Sequence, residues 1–348
     1  MTTIYVKEQG AQVGRSGERL VVRKDGNVVD SFPLQQVEQV VLMGNVQLTT
    51  QATATLLAQD IDVVFLSSFG TFRGRLTGQG NSNARLRQQQ LQRMSDEAFA
   101  LQLARSVVRG KVHNQRAVLL HQRERLEKLP GRGLRNLTGN RQFDQALAGM
   151  MRMQQQADQA HDIESLRGYE GKAAAYYFAA LRTFLSPDWG FRAREYYPPP
   201  DPFNALLSFA YSLLQKDVLA AVNLVGLDPF LGFFHEIYPG RPSAALDLME
   251  EWRPYLADRM VLALVNGEQL KPADFQHTNE VRRPVQLGNE GMERVLHAYG
   301  QRLATQLYHP LAGPGGQTSL QLAIRLQARH LARVISGDDA AYQPVLAR

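Results

Sequence analysis

TFRGRLTGQGNSNARLRQQQLQRM, residues 71–94, is where the chain changes texture. TFRGRLTG ends a series of short segments rich in β-branched residues. ARLRQQQLQRM opens a series of long segments with apolar residues at helical spacing. Between them GQGNSN, residues 78–83, has two glycines and no apolar residue, which reads as a linker. The chain therefore divides into residues 1–80, a linker at 81–84 and residues 85–348.

Upstream, ERLVVRK (18–24), VEQVVLM (37–43), IDVVFLS (61–67) and TFRGRLTG (71–78) read as strands. GRSG, RKDGN and FGTF punctuate them as turns. KDGN marks a hairpin, since glycine and asparagine tolerate the positive φ of a tight turn. TTQATATLLAQDI (49–61) breaks the pattern with a helix that a threonine can cap. Downstream, residues 84–129, 143–185, 203–225, 241–266, 290–308 and 317–336 carry helical periodicity. SPDWGFRAREYYPPPDP (186–202) and YHPLAGPGGQT (308–318) interrupt them as loops, the second reading as mobile. The fold class is α+β: a small β-rich domain, then a larger all-α domain.

The 348 residues are 44% hydrophobic and include no cysteine. That excludes disulfides, thiolate-held metals and a thiol nucleophile. Residues 1–20 lack the apolar core of a signal peptide, and NALLSFAYSLL (204–214) is too short to span a bilayer. The expected location is the cytoplasm. Net charge is +6, unevenly spread. Residues 85–141 hold 13 Arg+Lys against 4 Asp+Glu, and the rest hold 26 against 29. A segment of net +9 is the footprint of a nucleic-acid partner, because phosphate neutralisation dominates such affinity. A solvated helix face also fits it.

Three regions could carry chemistry. In 232–254, GFFHEIYPGRPSAALDLMEEWRP, the residues Asp247, Glu250 and Glu251 fall within about 100° of one helix face. The Tyr238-Pro239-Gly240 turn can bring His235 beside them. Carboxylates with an imidazole suit a divalent cation; a wet helix face with a half-buried histidine also fits. In 165–181, SLRGYEGKAAAYYFAAL, Glu170 lies between two glycines that permit close backbone approach. An ordinary first-turn acid favoured by the helix dipole fits as well. In 186–211, Trp189, Phe191, Arg192, Arg194, Tyr196 and Tyr197 interleave rings with charges, suiting either base stacking or loop packing. No phosphate-binding loop, H-E-x-x-H or G-x-S-x-G motif occurs.

LRGYEGKAAAYYF (166–178), DPFNALLSFAYSLL (201–214) and the 232–254 block, in that order and spacing, resemble the CRISPR-associated endonuclease/integrase family that inserts new spacers, the Cas-one family. KVHNQRAVLL (111–120), SLQLAIRLQARHLARVI (319–335) and residues 40–78 resemble it too, so the likeness covers nearly the whole chain. It implies a metal-dependent DNA endonuclease/integrase using Mg²⁺ or Mn²⁺. The R-G-x-E-G acid falls on Glu170, the G-F-x-H histidine on His235, and the third ligand of the L-D-L-x-E-E block on Glu250, with Asp247 as its alternative. Arg105, Arg109, Lys111, Arg116, Arg123, Arg125 and Arg253 would meet DNA phosphates, and Tyr211 would position the DNA end. Trp252 stands where the family usually has phenylalanine. The likeness also implies a β-sandwich-like N-terminal domain that dimerises, and a heterohexamer with a small partner of the Cas-two family. A general nuclease acting on branched DNA, a non-catalytic scaffold of the same fold and a helical interaction module are the competing readings.

Overall fold

The computed structural model describes residues 2–76, 78, 83–128, 141–312 and 315–347. The chain forms two compact units, residues 1–82 and 83–348. Of the expected linker, Asn81 and Ser82 lie outside the described residues, while Asn83 caps the first helix of the second unit and Ala84 opens it.

The N-terminal unit holds two four-stranded sheets. β1 (Thr2–Val6), β5 (Val37–Met43), β7 (Asp62–Leu66) and β8 (Phe72–Leu76) form one in the order β1-β5-β7-β8, in which β1, β5 and β7 run parallel. β4 (Asn27–Pro33), β3 (Arg19–Lys24), β2 (Gln12–Ser16) and β6 (Gln47–Leu48) form the other. α1 (Thr50–Ala58) carries the crossover from β5 to β7, and Thr49 Oγ1 accepts from the Ala52 N–H at 3.2 Å as its cap. Ile4, Val13, Leu20, Val40, Leu56 and Val63, drawn from both sheets and α1, share one core. GRSG does not turn as a whole: Gly14 to Ser16 are paired in β2, and Gly17 turns at φ +57°. In the β3–β4 hairpin the positive φ values fall on Asp25 and Gly26, and Asn27 already belongs to β4.

The second unit contains α2 (Ala84–Met94), α3 (Glu97–Glu127), α4 (Arg141–Asp158), α5 (Ile163–Arg182), α6 (Pro202–Leu224), α7 (Ser243–Trp252), α8 (Arg259–Asn266), α9 (Asn289–Ala304) and α10 (Leu320–Ser336). Capping acids divide the long periodic segments. Asp96 Oδ1 accepts from the Phe99 N–H at 3.1 Å, and Asp162 Oδ1 from the Ser165 N–H at 2.7 Å. α6 is long and apolar enough to cross a membrane, but 67% of its apolar stretch is buried within the unit. Its 23 residues run well beyond the apolar NALLSFAYSLL because Asp201 and Pro202 start it early and packing carries it past Lys216 and Asp217.

The unit is not all-α. β9 (Phe275–His277) pairs with β10 (Val285–Leu287), and β11 (Gln306–Tyr308) with β12 (Gln317–Ser319). Three-residue strands are too short to show a period of two. The second hairpin ties down both ends of the segment read as a mobile loop, although residues 313–314 lie outside the described residues. Beside it, buried His309 meets Gln327 Oε1 through Nε2 at 3.1 Å.

The C-terminal segment is strapped to α3, α7 and α10. Glu251, fully buried, accepts from the Val345 N–H (2.6 Å), Tyr342 O–H (2.7 Å) and Gln327 Nε2 (3.1 Å). Burial pushes its carboxyl up to about 7, against the pull of those three bonds. Asn114 Nδ2 donates to the carbonyls of Glu251 and Val345, both at 2.8 Å, and Asn114 Oδ1 accepts from the Ala347 N–H at 2.7 Å. Gly110 makes room for this, since a Cβ there would lie 2.5 Å from that of Pro344.

Candidate active site

The site is assembled around α7. Its three acids are all buried, so the wet-face reading of this helix fails. Asp247 turns to the preceding loop and accepts from the backbone N–H groups of Phe233 (2.6 Å), Phe234 (3.0 Å) and His235 (2.9 Å). Its Oδ1 also lies 2.7 Å from His235 Nδ1. An ionised carboxylate only accepts, so Nδ1 carries the proton and the lone pair is left on Nε2. Asp247 is thus fully engaged in holding the histidine.

Two further residues fix this loop. Arg167, the arginine of the R-G-Y-E-G stretch, donates to the Phe234 carbonyl from Nε (2.9 Å) and Nη2 (2.7 Å). Gln90 on α2, completely buried, donates to the carbonyls of Asp228 and Leu231 and accepts from the Asp228 N–H. Gly232 admits the close crossing of loop and helix: a Cβ there would meet the Ser243 carbonyl carbon at 2.7 Å. Sequence reading passed over Arg167, Gln90 and Gly232, although two of them stand inside the quoted motifs.

Glu250, one turn after Asp247, points into a cavity of about 720 Å³. Glu170, His235 and Lys111 line the same cavity. The Lys111 ammonium sits between the acids, 2.5 Å from Glu170 Oε1 and 2.6 Å from Glu250 Oε2. Arg253 Nη1 donates to Glu250 Oε1 at 2.6 Å, and His235 Nε2 lies 3.4 Å from that oxygen. Burial alone would push the Glu250 carboxyl up; the Arg253 and Lys111 charges outweigh it and take it down to about 2. Burial likewise opposes the Lys111 charge, but Glu170 and Glu250 hold its pKa above the ordinary lysine range. Among the described residues no three His, Asp or Glu side chains stand close enough to ligate one ion, because Glu170 lies across the ammonium from Glu250. The donor set still fits a divalent cation. Glu250 Oε2 is buried without an aligned hydrogen bond, and the His235 Nε2 lone pair is uncommitted.

Glu170 is not a first-turn acid. It is the eighth residue of α5, which Asp162 caps and Ile163 opens. Neither flanking glycine makes a close approach within the chain: a Cβ on Gly168 or Gly171 would meet nothing within 4 Å.

The wall beyond the acids is basic and aromatic. Pro254 lacks the N–H that would bond the Glu250 carbonyl, and Arg253–Asp258 forms a wide π-type turn. That turn sends both Arg253 and Asp258 to the cavity. Tyr211, which is buried, donates to Asp258 Oδ1 at 2.6 Å, and Tyr177 to Oδ2 at 2.8 Å. Burial raises Asp258 to about 6, against those two bonds. Arg194 lies 4.2 Å from the Tyr196 ring centre and 5.4 Å from that of Tyr211. Trp189 and Phe191 belong to the core, whereas Arg192, Arg194 and Tyr196 face the cavity. Arg182, Arg192 and Arg241 are exposed at its rim, with no carboxylate partner among the described residues.

Half of the six basic residues on α3 are engaged elsewhere. Arg105 donates to the Ala160 carbonyl, Arg109 pairs with Asp158 (3.0 Å) and Arg123 with Asp144 (3.5 Å). Arg116 is half-buried and Arg125 exposed. Residues 129–140 of the basic segment lie outside the described residues.

The fold is a sheet-bearing N-terminal unit and a helical unit whose cavity gathers two carboxylates and a histidine, and comparison supplies the family. The sequence profile of CRISPR associated protein Cas1 matches residues 4–301. The CRISPR-associated endonuclease Cas1 2 of Rhodospirillum rubrum is 38% identical, over 99% of this chain and 98% of that one. A chain of a Cas6-RT-Cas1–Cas2 complex matches with a TM-score of 0.82 at 25% identity, over 100% of this chain and 36% of the longer one. A casposase bound to its integration product matches with a TM-score of 0.83 at 20% identity, over 99% of this chain and 93% of that one. The chain belongs to the Cas1 family.

Asp247→Ala orphans three buried N–H groups and the imidazole N–H. It is expected to lower the unfolding free energy by about 3 kcal/mol in urea titrations. Unchanged stability would return Asp247 to the status of a free ligand. The folded Asp258 carboxyl keeps its proton up to about 6, whereas the unfolded one releases it near 3.8. Between these values the folded chain binds the extra proton, so this contribution to stability is lost as pH rises. The Tm difference between wild type and Asp258→Asn should therefore move in favour of wild type as pH falls from 8 to 4.5. A pH-independent difference would contradict the assignment.

Proposed function

We propose that the cavity is a phosphoryl-transfer centre in which Glu170, His235 and Glu250 hold one divalent cation, Mg²⁺ or Mn²⁺. The observation that carries this is the meeting of two carboxylates from separate helices, α5 and α7, with an imidazole whose Nδ1–H is committed to Asp247. The chain is a CRISPR-associated endonuclease and integrase that inserts new spacer DNA into a repeat array. In this reaction a 3′-hydroxyl of the incoming DNA attacks a phosphodiester of the repeat. One phosphorus–oxygen bond forms and one breaks, releasing a 3′-hydroxyl, so the number of phosphodiesters is conserved. No nucleotide hydrolysis is needed, in keeping with the lack of a phosphate-binding loop. In nuclease mode water replaces the attacking hydroxyl.

A bound cation would act as a Lewis acid on the phosphate oxygens. The chain's own residues do the rest. Asp247 fixes the imidazole, Lys111 and Arg253 offset charge that would otherwise accumulate in a buried space, and Arg182, Arg192 and Arg241 draw the DNA backbone to the rim. Tyr196 and Tyr211, stacked with Arg194, offer faces for a terminal base. The shared core of the two N-terminal sheets supports a sandwich-like packing. Val28 and Val29, both more than half exposed on the edge strand β4, support dimerisation through that unit. The likeness to a chain of a Cas1–Cas2 complex supports a small Cas2 partner and a heterohexamer holding a DNA duplex. A repeat-array DNA substrate supports a cytoplasmic location.

The test is strand transfer, with full-length protein, the small partner, Mn²⁺, a short duplex with free 3′-hydroxyls and a supercoiled repeat plasmid. Wild type should yield half-site products. Glu170→Ala and His235→Ala should each lose about 10³-fold, or ~4 kcal/mol in the barrier, with an unchanged far-ultraviolet spectrum. Joining that persists in Glu170→Ala would displace that residue from the site, and nicking without joining in wild type would favour a general nuclease. DNA affinity should fall steeply with salt. Arg192→Ala should weaken binding to all sequences alike and reduce the log–log salt slope by about 0.9. Arg105→Ala should leave the slope unchanged; the reverse pattern would move the DNA path onto α3.

A further inference from the structure

Among the described residues of the basic segment, Lys111 is the cation that the fold carries into the cavity. Its placement there is difficult to explain as a DNA contact. It is buried, and its ammonium lies between the oxygens of Glu170 and Glu250 at 2.5 and 2.6 Å. Those two carboxylates come from different helices, and among the described residues no other side chain pairs with both. Glu250 has a second cation, Arg253, on Oε1, leaving Oε2 to the lysine alone. The contact to Oε2 is close but not aligned as a hydrogen bond, so that buried oxygen is held by the charge of the lysine alone.

We propose that Lys111 is a built-in occupant of the cation site, and that its ammonium and a divalent ion exclude one another between Glu170 and Glu250. This rests on the metal-site reading above. Two carboxylates this close, Glu250 buried and Glu170 partly so, repel and cost desolvation energy unless a cation lies between them. A metal that arrived and departed would leave that pair bare in the empty enzyme. A tethered ammonium fills the gap, so the helices α5 and α7 keep their spacing with or without metal. The consequence is a competition: metal binding must displace an intramolecular cation, which lowers the observed affinity. Lys111 is therefore a positioning residue that sets metal affinity and stabilises the empty site.

The test is Mn²⁺ binding by full-length, chelator-treated protein, followed by calorimetry and by the paramagnetic signal of free Mn²⁺. Removing the competitor should tighten binding, so Lys111→Met should bind Mn²⁺ at least tenfold more tightly than wild type. Its metal-free Tm should fall and Mn²⁺ should restore it. Lys111→Arg, which keeps a charge in place, should bind no more tightly than wild type. If Lys111→Met does not fold without metal, Lys111→Gln gives the same comparison. A second measurement needs no variant: acetic-anhydride labelling of Lys111 in wild type, read by mass spectrometry, should rise several-fold with Mn²⁺ as the amine is released. An affinity no higher in Lys111→Met than in wild type, or labelling unaffected by Mn²⁺, overturns the proposal while leaving the metal site standing. Absence of Mn²⁺ binding in wild type and Lys111→Met alike overturns both. Weaker binding in Glu170→Gln separates a failed lysine from a failed site.

Discussion

A carboxylate removed from water has to be met by positive charge or by N–H and O–H donors, and α7 buries three of them within five residues. Each is met differently. Asp247 is met by the backbone of the His235 loop, Glu250 by Lys111 and Arg253, and Glu251 by the C-terminal segment and Gln327. Because the three point in different directions, satisfying them ties α7 to its preceding loop, to α3 and to the last residues of the chain. The helix is short, but most of what surrounds the cavity is oriented by it.

This explains why the same acids can serve structure and chemistry. Asp247 and Glu251 are saturated with donors and hold the scaffold. Glu250 has one oxygen pinned by Arg253 and the other held only by the Lys111 ammonium in the cavity. The wide turn that Pro254 introduces then carries Arg253 back over Glu250 and Asp258 beneath Tyr211 and Tyr177. A regular helix would point those residues elsewhere. The assignment of roles within L-D-L-M-E-E follows from packing direction, which an arc of about 100° on a helical wheel leaves open.

Much was legible in the sequence. The strands β3, β5, β7 and β8, the capped α1 and the change of texture at residues 78–83 announce themselves through β-branched runs, a threonine cap and turn residues. The short hairpins of the helical unit do not, because three-residue strands carry no period. Motif likeness points to Glu170, His235 and Glu250 together, whereas the glycines around Glu170 suggest a helix start that the Asp162 cap, eight residues earlier, rules out. The basic run along 85–141 was legible as charge but not as direction. α3 turns Arg105 and Arg109 onto α4 and the loop after it and Lys111 onto the acids, so net charge overstated what that helix offers to DNA. The rim arginines Arg182, Arg192 and Arg241 come from three separated segments and only converge in the fold.

Which oxygens and which nitrogen receive the ion is open to direct measurement. Anomalous scattering from Mn²⁺ in crystals of the full-length protein should give a single peak contacted by Glu170, Glu250 and His235 Nε2. Asp247 should remain on Nδ1 and the three backbone N–H groups. A peak ligated by Asp247, or one lying outside this cavity, would contradict the account.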